Sequence, residues 1–458
     1  MFPQRLVDSL LTSLGARRWL SLCYYRSIDT CAMSNMIGSR TEVVAGDSIP
    51  GTPVAKRLVF HIGGYDPTTP PASAQRRFVR EIERFQRTWT VEAIVDDLRD
   101  SADQTQWNVT TIGPNWQVET DYHLVRWDDV IDGFSRRSIG SRVPLGLLAF
   151  LDFVLAGALW RYLLSNWRYA FFFLYPFVMF GLLVAAAFLI GVFAFKITRS
   201  IPVATGGGLF GFAAVLAGPW RWLHLGDLFD DWIFSREYIR CGNSEIGQRL
   251  DRLAAELVAA ASNSAADEIL VIGHSLGAVL AVDLLDRALK LDPALGRNKI
   301  PVTFLSVGSS ILKIGLHPKA IRFRTTVERV AKSRAIFWGE YQALTDMLNF
   351  YKSRPMAEMG LSTENEPIVR VVKLSQMLDH EMYQRIRLNF FRLHCQFVSG
   401  NDRRTSYDYF MLTCGPVSAK SQTLAPDGAL SMIGDDGARI VGAQLAENEL
   451  LTSPGAAA

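Results

Sequence analysis

The chain has 458 residues, 49% of them apolar, and a net charge of +3. Near-balanced charge with no basic stripe interleaved with aromatics excludes a nucleic-acid partner, and the length suits one large domain with an insertion, or two domains. Cys23, Cys31, Cys241, Cys395 and Cys414 are scattered and lack metal-ligand spacing, so no zinc site, no other metal and no cofactor are expected.

Residues 1–55 carry little periodicity. They contain no continuous apolar core with a small-residue cleavage site, as a secretory signal would, and are expected to be poorly ordered. Met33 and Met36 offer alternative starts. The first part of an α/β domain then runs over 56–142. Leu58 to Ile62 reads as a strand and breaks at Gly63-Gly64, where Tyr65-Asp66-Pro67 turns the chain. Ala72 to Arg87 is an amphipathic helix with Phe78, Ile82 and Phe85 on one face. Trp107 to Ile112 and Val118 to Trp127 have strand character.

Residues 143–222 form an apolar insertion. Tyr169 to Phe195 carries no charge and, at about 1.5 Å per residue, is long enough to cross a bilayer. The strands before residue 130 and those after 260 belong to one sheet, so the chain must cross an even number of times. The simplest solution is a hairpin of 143–164 and 169–195. Arg136, Arg137, Arg142, Lys196 and Arg199 on its outer flanks put the folded domain in the cytoplasm. Asp152 would then lie near mid-membrane, at a cost of about 2.5–3.5 kcal/mol unless it faces its partner helix or water. Residues 201–220, weakened by Gly206-Gly207-Gly208, would be re-entrant or interfacial. The alternative hairpin pairs 169–195 with 203–220.

The second part of the domain covers 223–419. Leu223 to Arg240 and Gly247 to Ala261 read as helices. Ile269 to Ile272 is a short β-branched run, as in a buried parallel strand. Gly273-His274-Ser275-Leu276-Gly277 follows at once, and from Ala278 the period becomes helical. Strand, Gly-X-Ser-X-Gly, helix is the layout of a nucleophile elbow. Such a turn strains the Ser backbone, and only very small residues two positions either side leave room. The Ser oxygen then sits at a helix N-terminus, where free N–H groups favour developing negative charge. Pro301 to Val307, Arg334 to Trp338 and Ile368 to Leu374 are further strands, which suits an α/β fold with a mostly parallel sheet and helices on both faces. Residues 420–458 are rich in Ala, Gly, Asp and Ser and are expected to be disordered.

Ser275 needs a base and the base needs an orienting acid, following it in the order Ser, acid, His. Asp346, in a turn-like Thr-Asp pair after the Arg334–Trp338 strand, is favoured over Glu340. His380 and His394 both follow the last strand; loop length favours His380, whereas a helix from Glu381 to Leu393 could carry His394 back to the site. The N–H of Leu276 and one from Gly63, Gly64 or Tyr65 would bind the oxyanion. His61 and His274 read as structural.

Taken together, Gly63 to Pro67, Gly273 to Gly277, Trp338 to Tyr351 and His394 to Pro416 resemble the α/β-hydrolase superfamily of serine esterases and lipases, in particular a membrane-anchored bacterial branch. The resemblance covers most of 56–416 outside the insertion. It implies an α/β-hydrolase fold and favours His394 over His380. The expected activity is cleavage of an ester or thioester of a lipid-like or acylated substrate through Ser275, His394 and Asp346, beside the bilayer. Two other readings remain: a catalytically silent hydrolase scaffold that binds partners at the membrane, and a regulatory part of a transporter. The oligomeric state is not legible.

Overall fold

The structure is a computed structural model that describes residues 53–65, 71–297, 299–361 and 365–440. Residues 1–52, Asp66 and Pro67 of the upstream glycine motif, and 441–458 lie outside the described residues.

The described strands form one nine-stranded, mostly parallel sheet. They are β1 (Lys56–Ile62), β2 (Glu92–Val95), β3 (Arg99–Asp100), β4 (Gln104–Gly113), β5 (Trp116–Val125), β6 (Glu268–His274), β7 (Val302–Val307), β8 (Ile336–Ala343) and β9 (Ile368–Val372). The order is β2-β4-β5-β1-β6-β7-β8-β9, with β3 on β4. Neighbours are parallel from β5 to β9, and β2, β3 and β4 add an antiparallel edge. Strands β6 and β7 are buried along their whole length, as continuous apolar runs covered on both faces must be. Their side chains feed two cores. Leu58, Phe60, Ile62, Ile269 and Val271 enter one, while Val59, Leu270 and Ile272 enter the other.

The helices of six residues or more are α1 (Pro71–Trp89), α2 (Asp128–Ser135), α3 (Ile139–Leu155), α4 (Ala158–Ser165), α5 (Trp167–Thr198), α6 (Ile201–Ala217), α7 (Leu225–Arg240), α8 (Ser244–Asn263), α9 (Gly277–Leu291), α10 (Ile321–Lys332), α11 (His380–Ile386), α12 (Tyr409–Cys414) and α13 (Ala419–Leu424). Helices α7 to α10 fill the first core; α1 and α12 fill the second.

The insertion departs from the expected hairpin. Residues 143–164 are not one span: the helix breaks at Ala156 and Gly157, where Gly157 has φ 79°. Both pieces pack on the domain. Phe153 meets Trp232 at 5.1 Å and His317 at 4.8 Å, and the Tyr162 hydroxyl donates to the Lys313 carbonyl. Asp152, expected at mid-membrane, accepts from Arg240 on α7 and lies 3.1 Å from Arg236. A carboxylate with two arginines to hand is held against the domain and has no reason to enter lipid.

Helix α5 is the one described helix long and apolar enough by itself to cross a membrane. Its first turns bury Tyr169, Phe172, Phe173 and Phe177 in the domain, whereas Leu182, Phe188, Leu189, Phe193 and Ile197 are exposed. Its partner is α6, matching the alternative hairpin. A Cβ at Gly191 would come 3.0 Å from the Ala204 carbonyl, and one at Gly207 3.3 Å from the Ala194 side chain. Gly207 and Gly208 of the run expected to weaken 201–220 therefore lie, with Gly211, on the face where two antiparallel helices meet closely, as small residues allow. Lys196 and Arg199 sit at the far tip of this pair instead of at its base.

The segment 420–440 is also ordered, against expectation. Arg57, fully buried, pairs with Glu268 at 3.0 Å and donates to the carbonyls of Gly415 and Val417. Glu268 in turn accepts from the Ala419 amide, so a buried charge pair pins the start of α13 to the sheet. Arg370 on β9 then donates to the Thr423 carbonyl, and Ile433 bridges to Arg439. Composition could not show these distant partners.

Candidate active site

Ser275 sits between β6 and α9 with φ 55°, a left-handed backbone that a non-glycine residue adopts only when its surroundings force it. The flanking glycines show the force. A Cβ at Gly273 would lie 2.3 Å from the Ala278 Cα, and one at Gly277 would lie 2.1 Å from the Ile62 carbonyl oxygen. The turn is locked from both sides: the Ser275 amide donates to the Val307 carbonyl at 3.1 Å, and its carbonyl accepts from Ser310 at 3.0 Å.

The upstream glycine loop closes over the same point. A Cβ at Gly64 would come 2.8 Å from the Ser275 Cβ. Trp127 anchors this loop by donating to the Gly63 carbonyl at 3.0 Å. Gly63, Gly64, Tyr65, Ser275 and Leu276 line one cavity of about 760 Å³ at the carboxyl edge of the parallel strands, where ligands bind in open α/β sheets. Leu276 immediately precedes α9, among the first amides of a helix, which have no carbonyl one turn earlier to bond. The Tyr65 hydroxyl is buried without a partner among the described residues, and burial, reinforced by Asp230, Asp231 and Asp227, keeps it protonated far above its ordinary range.

The two histidine candidates separate. His380 is exposed at the start of α11 and is not part of the cavity wall. His394, in the turn Phe390–His394, is buried and lines the cavity with Ser275. Its Nδ1 lies 2.7 Å from Asp346 Oδ2. An ionised carboxylate only accepts, so Nδ1 carries the proton and Nε2 presents its lone pair. Nε2 has no hydrogen-bond partner among the described residues, which leaves it available to a group in the cavity.

Asp346 is itself held. Its carboxylate accepts from the Leu348 amide at 2.9 Å and from Asn349 Nδ2 at 2.8 Å. Glu340, the competing acid, is elsewhere: it is buried within the sheet against the Ser306 hydroxyl, and burial pushes its carboxyl up to about 8. A neutral acid there is a core group and makes no contact with His394.

Several contributors carry no motif. Gly308, at φ 53°, ends β7 beneath His394, and a Cβ there would lie 2.9 Å from the imidazole Cε1. The His274 ring lies tilted 4.6 Å from the His394 ring and places Nε2 3.3 Å from the His394 carbonyl, and burial holds it neutral, with its pKa well below the ordinary value. Asn349 is the third support. The Gly-Ser-Ser end of the strand was the available signal for Gly308; nothing local marks Asn349. His61 is a core residue, with Nδ1 3.0 Å from the Tyr409 hydroxyl.

Among the described residues, no group of three His, Cys, Asp or Glu side chains is placed to hold a metal, and Cys241, Cys395 and Cys414 form no disulfide. No family model matches the chain, and no match is found among curated proteins or solved structures.

Proposed function

We propose that this chain is a membrane-anchored serine hydrolase of the α/β-hydrolase type, cleaving an ester or thioester of a lipid-like or acylated substrate. The observation that carries the reading is the pairing in one cavity of a serine at φ 55° with a histidine whose outer nitrogen is oriented by a buried carboxylate. In this reading Ser275 Oγ attacks the carbonyl carbon and His394 Nε2 takes its proton. The carbonyl oxygen, now negative, meets the Leu276 amide and a donor from Gly63, Gly64 or Tyr65, each such donor being worth about 2.7–4 kcal/mol. The C–O or C–S bond breaks, and His394 returns the proton to the departing oxygen or sulfur. Water then repeats the sequence on the acyl-serine and releases the acid.

In the same reading the α5–α6 pair enters the bilayer. The pair begins and ends on the domain side, with its turn at the far tip, so the chain crosses an even number of times and the sheet stays whole. The exposed part of α5, from about Leu182 to Thr198, and the whole of α6 each reach about 25 Å, close to the hydrocarbon thickness. Arg136, Arg137, Arg142, Arg161 and Arg168 lie at the domain end against Lys196 and Arg199 at the tip, which favours a cytoplasmic domain at a bacterial inner membrane. Turnover of a panel of p-nitrophenyl esters and acyl thioesters by the full chain in detergent tests the activity. Loss of turnover in Ser275→Ala is expected; equal rates in the variant would overturn the proposal.

A further inference from the structure

The cavity around Ser275 is not walled by the sheet and its covering helices alone. Tyr169 and Phe172, on the first two turns of the apolar helix α5, line it together with Leu228, Leu348 and Phe391. His224, Asp227 and Asp231 line this side too, and past them aromatic and aliphatic side chains continue outward along α5. Phe172 lies 5.9 Å from Phe390, and Tyr175, one turn further along α5, lies 5.6 Å from the same ring. Leu388, just before that turn, is 86% exposed, and Val178 and Leu182, further along α5, are exposed by more than half. The turn that delivers His394 therefore packs against the helix that leads into the bilayer. On the other side of the sheet, α1 lends the same cavity a different wall, with Arg77 and Arg80. Glu81 and Arg84 line this wall too, with Glu81 paired to both Arg80 and Arg84, so Ser275 stands between an apolar approach and a charged, arginine-rich one.

Resting on the hydrolase reading above, we infer that the substrate is an acyl lipid taken sideways from the bilayer. Its acyl chain runs from Ser275 between Phe172 and Phe391 and along α5 into the membrane. The polar part, released as the leaving group, faces Arg77 and Arg80. Helix α5 is thus both the anchor and the wall of the acyl site, and Phe172 is a specificity-determining residue.

The test uses the full chain in phosphatidylcholine vesicles with three substrates: a long-chain fluorogenic acylglycerol in the same bilayer, the same acyl chain as a soluble coenzyme A thioester, and a water-soluble butyrate ester. Phe172→Trp should lower the ratio of bilayer-ester to butyrate turnover about tenfold or more, the scale on which a filled apolar pocket discriminates. Phe391→Trp, at a half-exposed site that tolerates bulk, should lower the same ratio. Fluorophosphonate labelling of each variant reports that it is folded. An unchanged ratio in a labelled variant, or preference of the wild type for the soluble thioester, would overturn the inference and leave the hydrolase reading standing. A wild type that neither labels nor turns over any ester would remove the reading on which it rests.

Discussion

The elbow at Ser275 shows itself in a local sequence pattern; the course of the apolar insertion does not. The elbow is a steric motif: the clash that forces glycine at 273 comes from Ala278 in the same turn, and the one at 277 comes from the adjacent strand β1. The insertion is set by one charge contact distant in sequence and by the fit of two consecutive helices. Helix α3 stays on the domain because Asp152 meets Arg236 and Arg240 on α7, and α5 takes α6 as its partner because a run of glycines fits against it. Steric motifs can be read locally. The fate of an apolar helix depends on where its one charge finds an opposite, which local composition does not reveal.

The sharpest way to break this contrast is at the site. Asp346→Asn should reduce turnover by about 10⁴, because an amide cannot hold His394 in the tautomer that leaves Nε2 free. Steady-state kinetics with a soluble ester reads it. A loss below about tenfold would show that the Asp346–His394 contact does not orient a base.

Asp152 supplies the matching test for the insertion. With its partners lost, Asp152→Leu should lower stability by about 1–2 kcal/mol, less than for a fully buried pair because both arginines are partly exposed. If the residue faced lipid instead, the same change would stabilise by about 2.5–3.5 kcal/mol. The thermal midpoint of the detergent-solubilised protein distinguishes the two by sign.

The smallest effect separates the two acids of the sheet edge. Glu340 has its carboxyl pushed up to about 8 by burial, from an ordinary 4.5. Below pH 4.5 both folded and unfolded chains hold the proton and its full contribution to stability is present. As pH rises from 4.5 towards 8 the unfolded chain ionises first, so stability is lost, by about 1 kcal/mol between pH 6 and 7. Glu340→Gln should lack this slope, and its stability relative to the wild type should rise with pH over that range. Parallel pH profiles in urea denaturation would show that Glu340 is ionised in the fold.

Much of the sheet was legible. β1, β4 to β7, β9 and α1 fall on the apolar runs and periodicities that mark them, most plainly where a strand is buried on both faces, whereas β8 starts within the expected Arg334–Trp338 run and extends to Ala343, which takes Glu340 into the strand. The short edge strands β2 and β3 were missed: β2 is four residues, two of them exposed, with no polar–apolar alternation, and β3 is two exposed charged residues. Ser275, Gly63 and Gly64 could be read from the residues alone. The choice of His394 could not, since loop length pointed to His380 and only the resemblance pointed the other way. The physical reason for the choice, the short turn that seats His394 beside Asp346 above Gly308, exists only in three dimensions. The order of 420–440 was hidden for a similar reason, since it depends on the buried Arg57–Glu268 pair.

The central claim is that Ser275 is a nucleophile activated by His394. Labelling the full-length protein with a fluorophosphonate and locating the adduct by peptide mass spectrometry tests it most directly. The account predicts a single adduct on Ser275, absent in Ser275→Ala and strongly slowed in His394→Ala. An unlabelled wild type, or labelling that persists in Ser275→Ala, would contradict it.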